Sequence, residues 1–146
     1  MTFIAPSKFP SSDGAIVTAL RVGLTARGWG AGLTATRKLP TTITRRMVTL
    51  RNDSGPVEMS RSIRRYGVNL WCDNSVDGEA PSLDCERFAL DAMSVLQTVA
   101  DGAPIARLYN FSGPYEVDDE MPYVVAGKQL AHFYFAFTAL VRGTAS

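Results

Sequence analysis

Two cysteines in 146 residues, Cys72 and Cys85, are too few for a disulfide framework and too far apart for a C-x-x-C pair. Each falls at an apolar position of its expected element, so both are read as buried, reduced thiols. One histidine, His132, would leave a zinc site to be completed by carboxylates or distant cysteines, and no structural zinc is expected. Long hydrophobic runs are missing too. The longest, Phe133 to Val141, is far shorter than a bilayer span, so no membrane partner is expected. "MTFIAPSKFPSS" has no basic segment followed by an apolar stretch, which argues against a secretory signal and for a soluble, unexported product. No G-x-x-x-x-G-K-[ST] occurs. Gly28, Gly30 and Gly32 form G-x-G-x-G after a helix, whereas a dinucleotide loop needs G-x-G-x-x-G between a strand and a helix. Nor does a G-x-S-x-G or reactive-cysteine context accompany His132. These absences point away from an enzyme and from any cofactor.

What is present is a core-forming composition, 46% hydrophobic and 20% charged, enough for one domain over residues 1–146. After an irregular segment, 1–12, "SSDGAIVTALRVGLTARG" reads as a helix. Ser12 or Asp13 is its N-cap, Ile16, Val17, Leu20 and Leu24 its apolar stripe, and Gly28 its left-handed terminator. "LTATRKLP" is a short strand. The β-branched "TITRRMVTLR" is a strand over about residues 42–51. "SRSIRRYGVNLWCD" is its antiparallel partner, with Tyr66, Val68, Leu70 and Cys72 on one face and Arg65, Gly67, Asn69 and Trp71 on the other. "SLDCERFALDAMSVLQTVADG" is a helix whose seam of Cys85, Phe88, Ala89, Ala92, Met93, Leu96, Val99 and Ala100 should lie on a sheet. "IARLYNFSG" is a strand with Ile105, Arg107, Tyr109 and Phe111 on one face, followed by an acidic loop, 113–129. "LAHFYFAFTALVR" is a strand apolar on both faces, expected to be central and covered on both sides. The fold class is α+β, an α/β sandwich of two helices on a mostly antiparallel or mixed sheet of four to five strands.

Carboxylate clusters invite metal readings. "DNSVDGEAPSLD" sets Asp73, Ser75, Asp77, Gly78 and Asp84 on a calcium-loop spacing, but a strand leads into it and Asp84 stands where a bidentate glutamate belongs. A tight strand-to-helix connection is the plainer reading, and no metal is assigned. Asp118, Asp119 and Glu120 are consecutive, so they point in different directions and suit a solvated or partner-facing loop better than a catalytic metal pocket.

The net charge of +1 conceals a division along the chain. Residues 1–66 hold eleven basic against three acidic side chains, a balance of +8; residues 67–146 hold four against eleven, a balance of −7. The acidic half works against nucleic-acid binding, although a nucleic-acid-binding accessory protein remains an alternative. Such a division can be neutralised within one domain or between neighbouring copies.

The order of elements resembles the tail terminator proteins of long-tailed, siphovirus-type bacteriophages, particularly those of actinobacterial phages. The matching pieces are "AIVTALRVGLTARG", "RRMVTLRND", "SRSIRRYGVNLWCD", the helix ending "LQTVADG", the "SGPYEVDDEMPY" loop and the strand closing in "LVRG". They span about Asp13 to Gly143; the opening "MTFIAPSKFP" and the "GWGAG" corner depart from smaller members. The resemblance implies a non-enzymatic, cofactor-free virion protein, assembled in the host cytoplasm and placed at the head–tail junction. It would form a ring, usually a hexamer, that caps the tail tube, ends its polymerisation and provides the head-docking surface. Its partners would be further copies of itself, the tail tube protein and a head-completion or neck protein, with DNA passing through the ring without sequence-specific binding. Another neck component, a stopper or connector, is the nearest alternative.

A closed ring uses a heterologous contact, in which one face of a subunit meets a different face of the next. A basic half and an acidic half suit it, because head-to-tail contact is attractive and like-to-like contact is repelled. The expected interface cations are Arg45, Arg46, Arg64 and Arg65, and their complements are Glu116, Asp118, Asp119 and Glu120.

Overall fold

The computed structural model describes residues 13–37, 46–53, 61–72, 81–98, 105–117, 124–125 and 128–142. Helix α1 (Asp13–Leu24) is followed by a π-helical turn, Thr25–Trp29, and then by strands β1 (Leu33–Thr36), β2 (Arg46–Asn52) and β3 (Arg61–Cys72). Helix α2 (Pro81–Gln97) leads to β4 (Ile105–Glu116), a two-stranded ladder of β5 (Val124–Val125) and β6 (Lys128–Gln129), and β7 (Ala131–Arg142). Two helices on a five-stranded mixed sheet make this an α+β fold.

The sheet order is β1-β2-β3-β7-β4. The expected antiparallel pairing of β2 with β3 is present, with Val48 opposite Leu70 and Leu50 opposite Val68. β3 pairs antiparallel with β7 over its whole length, and β7 with β4. β1 runs parallel to β2 and supplies the mixed character. Both helices pack on one face. The stripe of Ile16, Val17, Leu20 and Leu24 and the seam of Cys85, Phe88, Ala89, Ala92, Met93 and Leu96 meet Tyr66, Val68, Leu70, Cys72, Phe133, Phe135 and Phe137 in one core. Phe88, Phe135, Phe137 and Leu20 are fully buried, each contributing about 1.5–3 kcal/mol by leaving water.

Several expectations change. Gly28 takes its left-handed conformation (φ 91°, ψ 7°), yet the backbone coils on through Trp29. Asp13 is the first helical residue and is buried, with its carboxylate occupied by other elements; Ser12, Val99 and Ala100 lie outside the described residues. β7 is an inner strand, but the helices cover only one of its faces, leaving Tyr134, Ala136 and Leu140 half-exposed.

β4 departs furthest from simple alternation. Its register against β7 shifts between Ile105 and Arg107 and again between Tyr109 and Ser112, where Asn110 has φ 60°. A bulge inserts an extra residue and reverses the parity of everything beyond it. Ile105, Leu108 and Phe111 therefore face the core, while Arg107 and Tyr109 turn to the other side, opposite Leu140 and Thr138. The strand also continues to Glu116, through Pro114, where a loop was expected from residue 113. An edge strand tolerates proline because its outer N–H groups need no partner strand. The β5–β6 ladder occupies a further part of that span.

Candidate functional site

Parity on β2 puts Arg46, Val48 and Leu50 on the helix side, so the guanidinium at the start of this strand points inward. Arg46 is buried, with Nη2 3.2 Å from Oδ2 and 3.4 Å from Oδ1 of Asp84 in the first turn of α2. Its guanidinium carbon stands 4.5 Å from the centre of the Trp29 ring, and Trp29 in turn packs on Phe88 at 5.3 Å. Asp84 is a natural acceptor here, since a helix N-terminus favours negative charge. Arg46 thus ties sheet to helix inside one chain. The same bond occupies Asp84, the last position of the calcium-loop spacing; residues 73–80 lie outside the described residues.

Other charges also meet internally, Asp91 across the two halves and Asp13 within the first. Asp91 accepts from Trp29 Nε1 at 2.7 Å and from Arg27 at 3.5 Å. Asp13 accepts from the Tyr66 hydroxyl at 2.8 Å and from Asn52 at 3.0 Å, and pairs with Arg37 at 3.0 Å. No local pattern signals these pairings, because the partners of Asp91 lie 62 and 64 residues away. Two open clefts result. One, about 420 Å³, is lined by Arg27, Trp29, Arg46, Asp84, Arg87 and Asp91. The other, about 730 Å³, is lined by Asp13, Arg37, Arg51 and Asn52, with Thr36 and Leu50. Among the described residues neither lining contains a histidine, cysteine or serine. Among the described residues no three His, Cys, Asp or Glu side chains converge on a possible metal position, and no helix is long and apolar enough to cross a membrane.

Arg64 and Arg65 behave differently from Arg46. Arg64 is half-buried on the helix side at the end of the core, and Arg65 is exposed on the other face. Among the described residues, the ion pairs are formed by Arg27, Arg37, Arg46 and Arg51, and neither Arg64 nor Arg65 takes part. Glu116 is exposed at the end of β4 and takes no part either. Arg65 stands opposite Thr138 and Glu116 opposite Phe133, on the two flanks of β7. They are therefore separated by about 17 Å along that strand and about 10 Å across it. Arg45, Asp118, Asp119 and Glu120 lie outside the described residues.

The helix-free face of the sheet was only half legible in advance. Trp71 stacks on His132 at 4.5 Å, and His132 Nε2 lies 2.8 Å from its acceptor, Asn69 Oδ1. The one imidazole is thus engaged in packing. Tyr134 lies across Gly67, where an added Cβ would come within 2.9 Å of the ring; only glycine permits that approach. The Arg51 guanidinium is 6.0 Å from the Tyr134 ring centre, and that of Arg107 is 5.3 Å from the Tyr109 ring centre. Arg51 also bonds Asp53 at 2.7 Å, and this hydrogen bond with the adjacent negative charge raises its pKa. Tyr115, 54% exposed, joins Ser112 through their hydroxyls at 2.7 Å. On the other side of the sheet both cysteines are buried and free. Contact with Cys72, then burial, pushes the Cys85 thiol pKa far up.

No protein-family model matches this sequence, and no curated protein matches it.

Proposed function

We propose that this chain is a phage tail terminator, a structural protein that assembles into a homo-oligomeric ring at the head–tail junction, caps the tail tube and presents the surface on which the head docks. In the resemblance the ring is a hexamer, and its neighbours are the tail tube protein and a head-completion protein. The observation that carries this reading is the separation, across one sheet, of charges that form no ion pair among the described residues. Arg64 and Arg65 sit at one end and Glu116 at the other, outside the ion pairs of the described residues and too far apart to meet within a chain. A head-to-tail contact brings opposite ends of identical subunits together, whereas self-pairing of like ends is repulsive. The α+β fold of two helices on a mixed sheet is also of the kind that the resemblance implies.

Imaging of the concentrated protein by negative stain, alone and with polymerising tail tubes, tests the proposal. Uniform rings with a central hole and tubes of set length are expected. Tubes of unregulated length in the presence of the folded protein overturn it. The Arg64→Glu/Arg65→Glu variant should lose ring formation while its circular dichroism spectrum stays that of the folded monomer; rings of unchanged mass in that variant remove the electrostatic argument.

A further inference from the structure

The helix-free face has a composition of its own. Along β2, β3, β7 and β4 it carries Arg51, Arg65 and Arg107, with Trp71, Tyr134, Tyr109 and Tyr115 between them. Among the described residues the one carboxylate on that face is Asp53, just beyond β2 and across from Arg65, where Arg51 holds it. Tyr134, packed over Gly67, places an aromatic ring near the middle. Arg65 and Arg107, both exposed, lie toward its far end, opposite Thr138 and Leu140.

We infer that this face is the receiving half of a contact with a second copy of the chain, and that the acidic end of the second copy's β4, beginning at Glu116, is what it receives. The inference rests on the ring reading above and names the surfaces involved. Charge complementarity selects the occupant. Among the described residues the face offers three arginines against one acid, Asp53, which Arg51 already holds, and the stretch from Glu116 to Glu120 is the densest acidic run in the sequence, with four carboxylates in five residues. Within one chain Glu116 lies at the Phe133 end of β7 and Arg107 at the Leu140 end, so the two attract only between copies. Partly exposed tyrosine and tryptophan with arginine is the composition of binding-energy centres at protein interfaces. Single-stranded nucleic acid also stacks on aromatic sheets, but a chain of net charge +1 with an acidic second half lacks the surplus positive charge that such binding uses.

The test is native mass measurement across a concentration series on the wild type, Arg65→Glu/Arg107→Glu, Glu116→Arg, the three changes combined, and Tyr134→Ala. Circular dichroism checks that each variant is folded. The wild type should self-associate, and the double arginine reversal should remain at the 15.8 kDa monomer mass. Glu116→Arg should associate more weakly, and the combined variant should associate better than the double arginine reversal, though less than the wild type, because one of the four carboxylates has changed sign with the face. Tyr134→Ala should weaken association about tenfold, as loss of an aromatic anchor does. Reversed variants that assemble like the wild type overturn this contact while leaving the ring reading intact. Association that stops at a dimer and is abolished by the reversals sustains the contact and overturns the ring. A wild type that stays monomeric throughout overturns the contact. So does salt-sensitive binding of oligothymidylate that the arginine reversals abolish without changing the protein's mass, since the face would then serve nucleic acid.

Discussion

Replacing Asp84 by Asn removes the charge that balances a buried arginine and keeps nearly the same shape. The side chains of Arg46 and Asp84 are 8% and 16% exposed, and their closest atoms are 3.2 Å apart. Breaking a buried pair by removing one partner costs about 3–5 kcal/mol, because the remaining charge stays out of water. The residual access of Asp84 to solvent places this pair at the lower end, about 3 kcal/mol. In urea that moves the unfolding midpoint down by about 1–2 M, and a melt should fall by about 10 °C for a chain of this size. Arg46→Met should cost less, since the carboxylate left behind keeps the favourable field of the α2 N-terminus and part of its hydration. In the double variant the two losses should add to less than their sum by about 1–2 kcal/mol, the coupling expected of residues in contact. Indole fluorescence gives a local readout, because Trp29 stands against Arg46 and bonds Asp91. Midpoints for Asp84→Asn within error of the wild type would refute this reasoning, for the pair would then be hydrated like a surface ion pair worth about 0–1 kcal/mol.

Two further outcomes follow from the same core. Tyr66→Phe deletes the hydroxyl that donates to buried Asp13 at 2.8 Å; equilibrium denaturation should show a loss of about 2 kcal/mol, the range for a hydrogen bond to a charged group. Cys85 titrates higher in the folded chain than unfolded, owing to Cys72 and burial. Its contribution to stability is therefore complete below the unfolded thiol pKa of about 8.5 and declines above it, by up to about 1.4 kcal/mol per pH unit. Denaturation midpoints measured from pH 7 to pH 10 should fall in the wild type and fall less in Cys85→Ala; parallel profiles would contradict the assignment.

The sequence by itself determined the two helices, the buried face of β3 and the pairing of β2 with β3, because 3.6- and 2-residue periodicities are local properties of the backbone. It also exposed the division of charge between the halves. The destination of each charge was decided only by tertiary structure. Arg46 and Arg64 are both strand arginines beside a second arginine, yet Arg46 meets Asp84, 38 residues away, while Arg64 meets no carboxylate among the described residues. The β4 bulges likewise moved Arg107 and Tyr109 away from the face that alternation from Ile105 assigned them. Whether a charge is neutralised depends on which other element closes over it, and bulges reset parity beyond themselves, so neither outcome is encoded in the spacing of neighbouring residues.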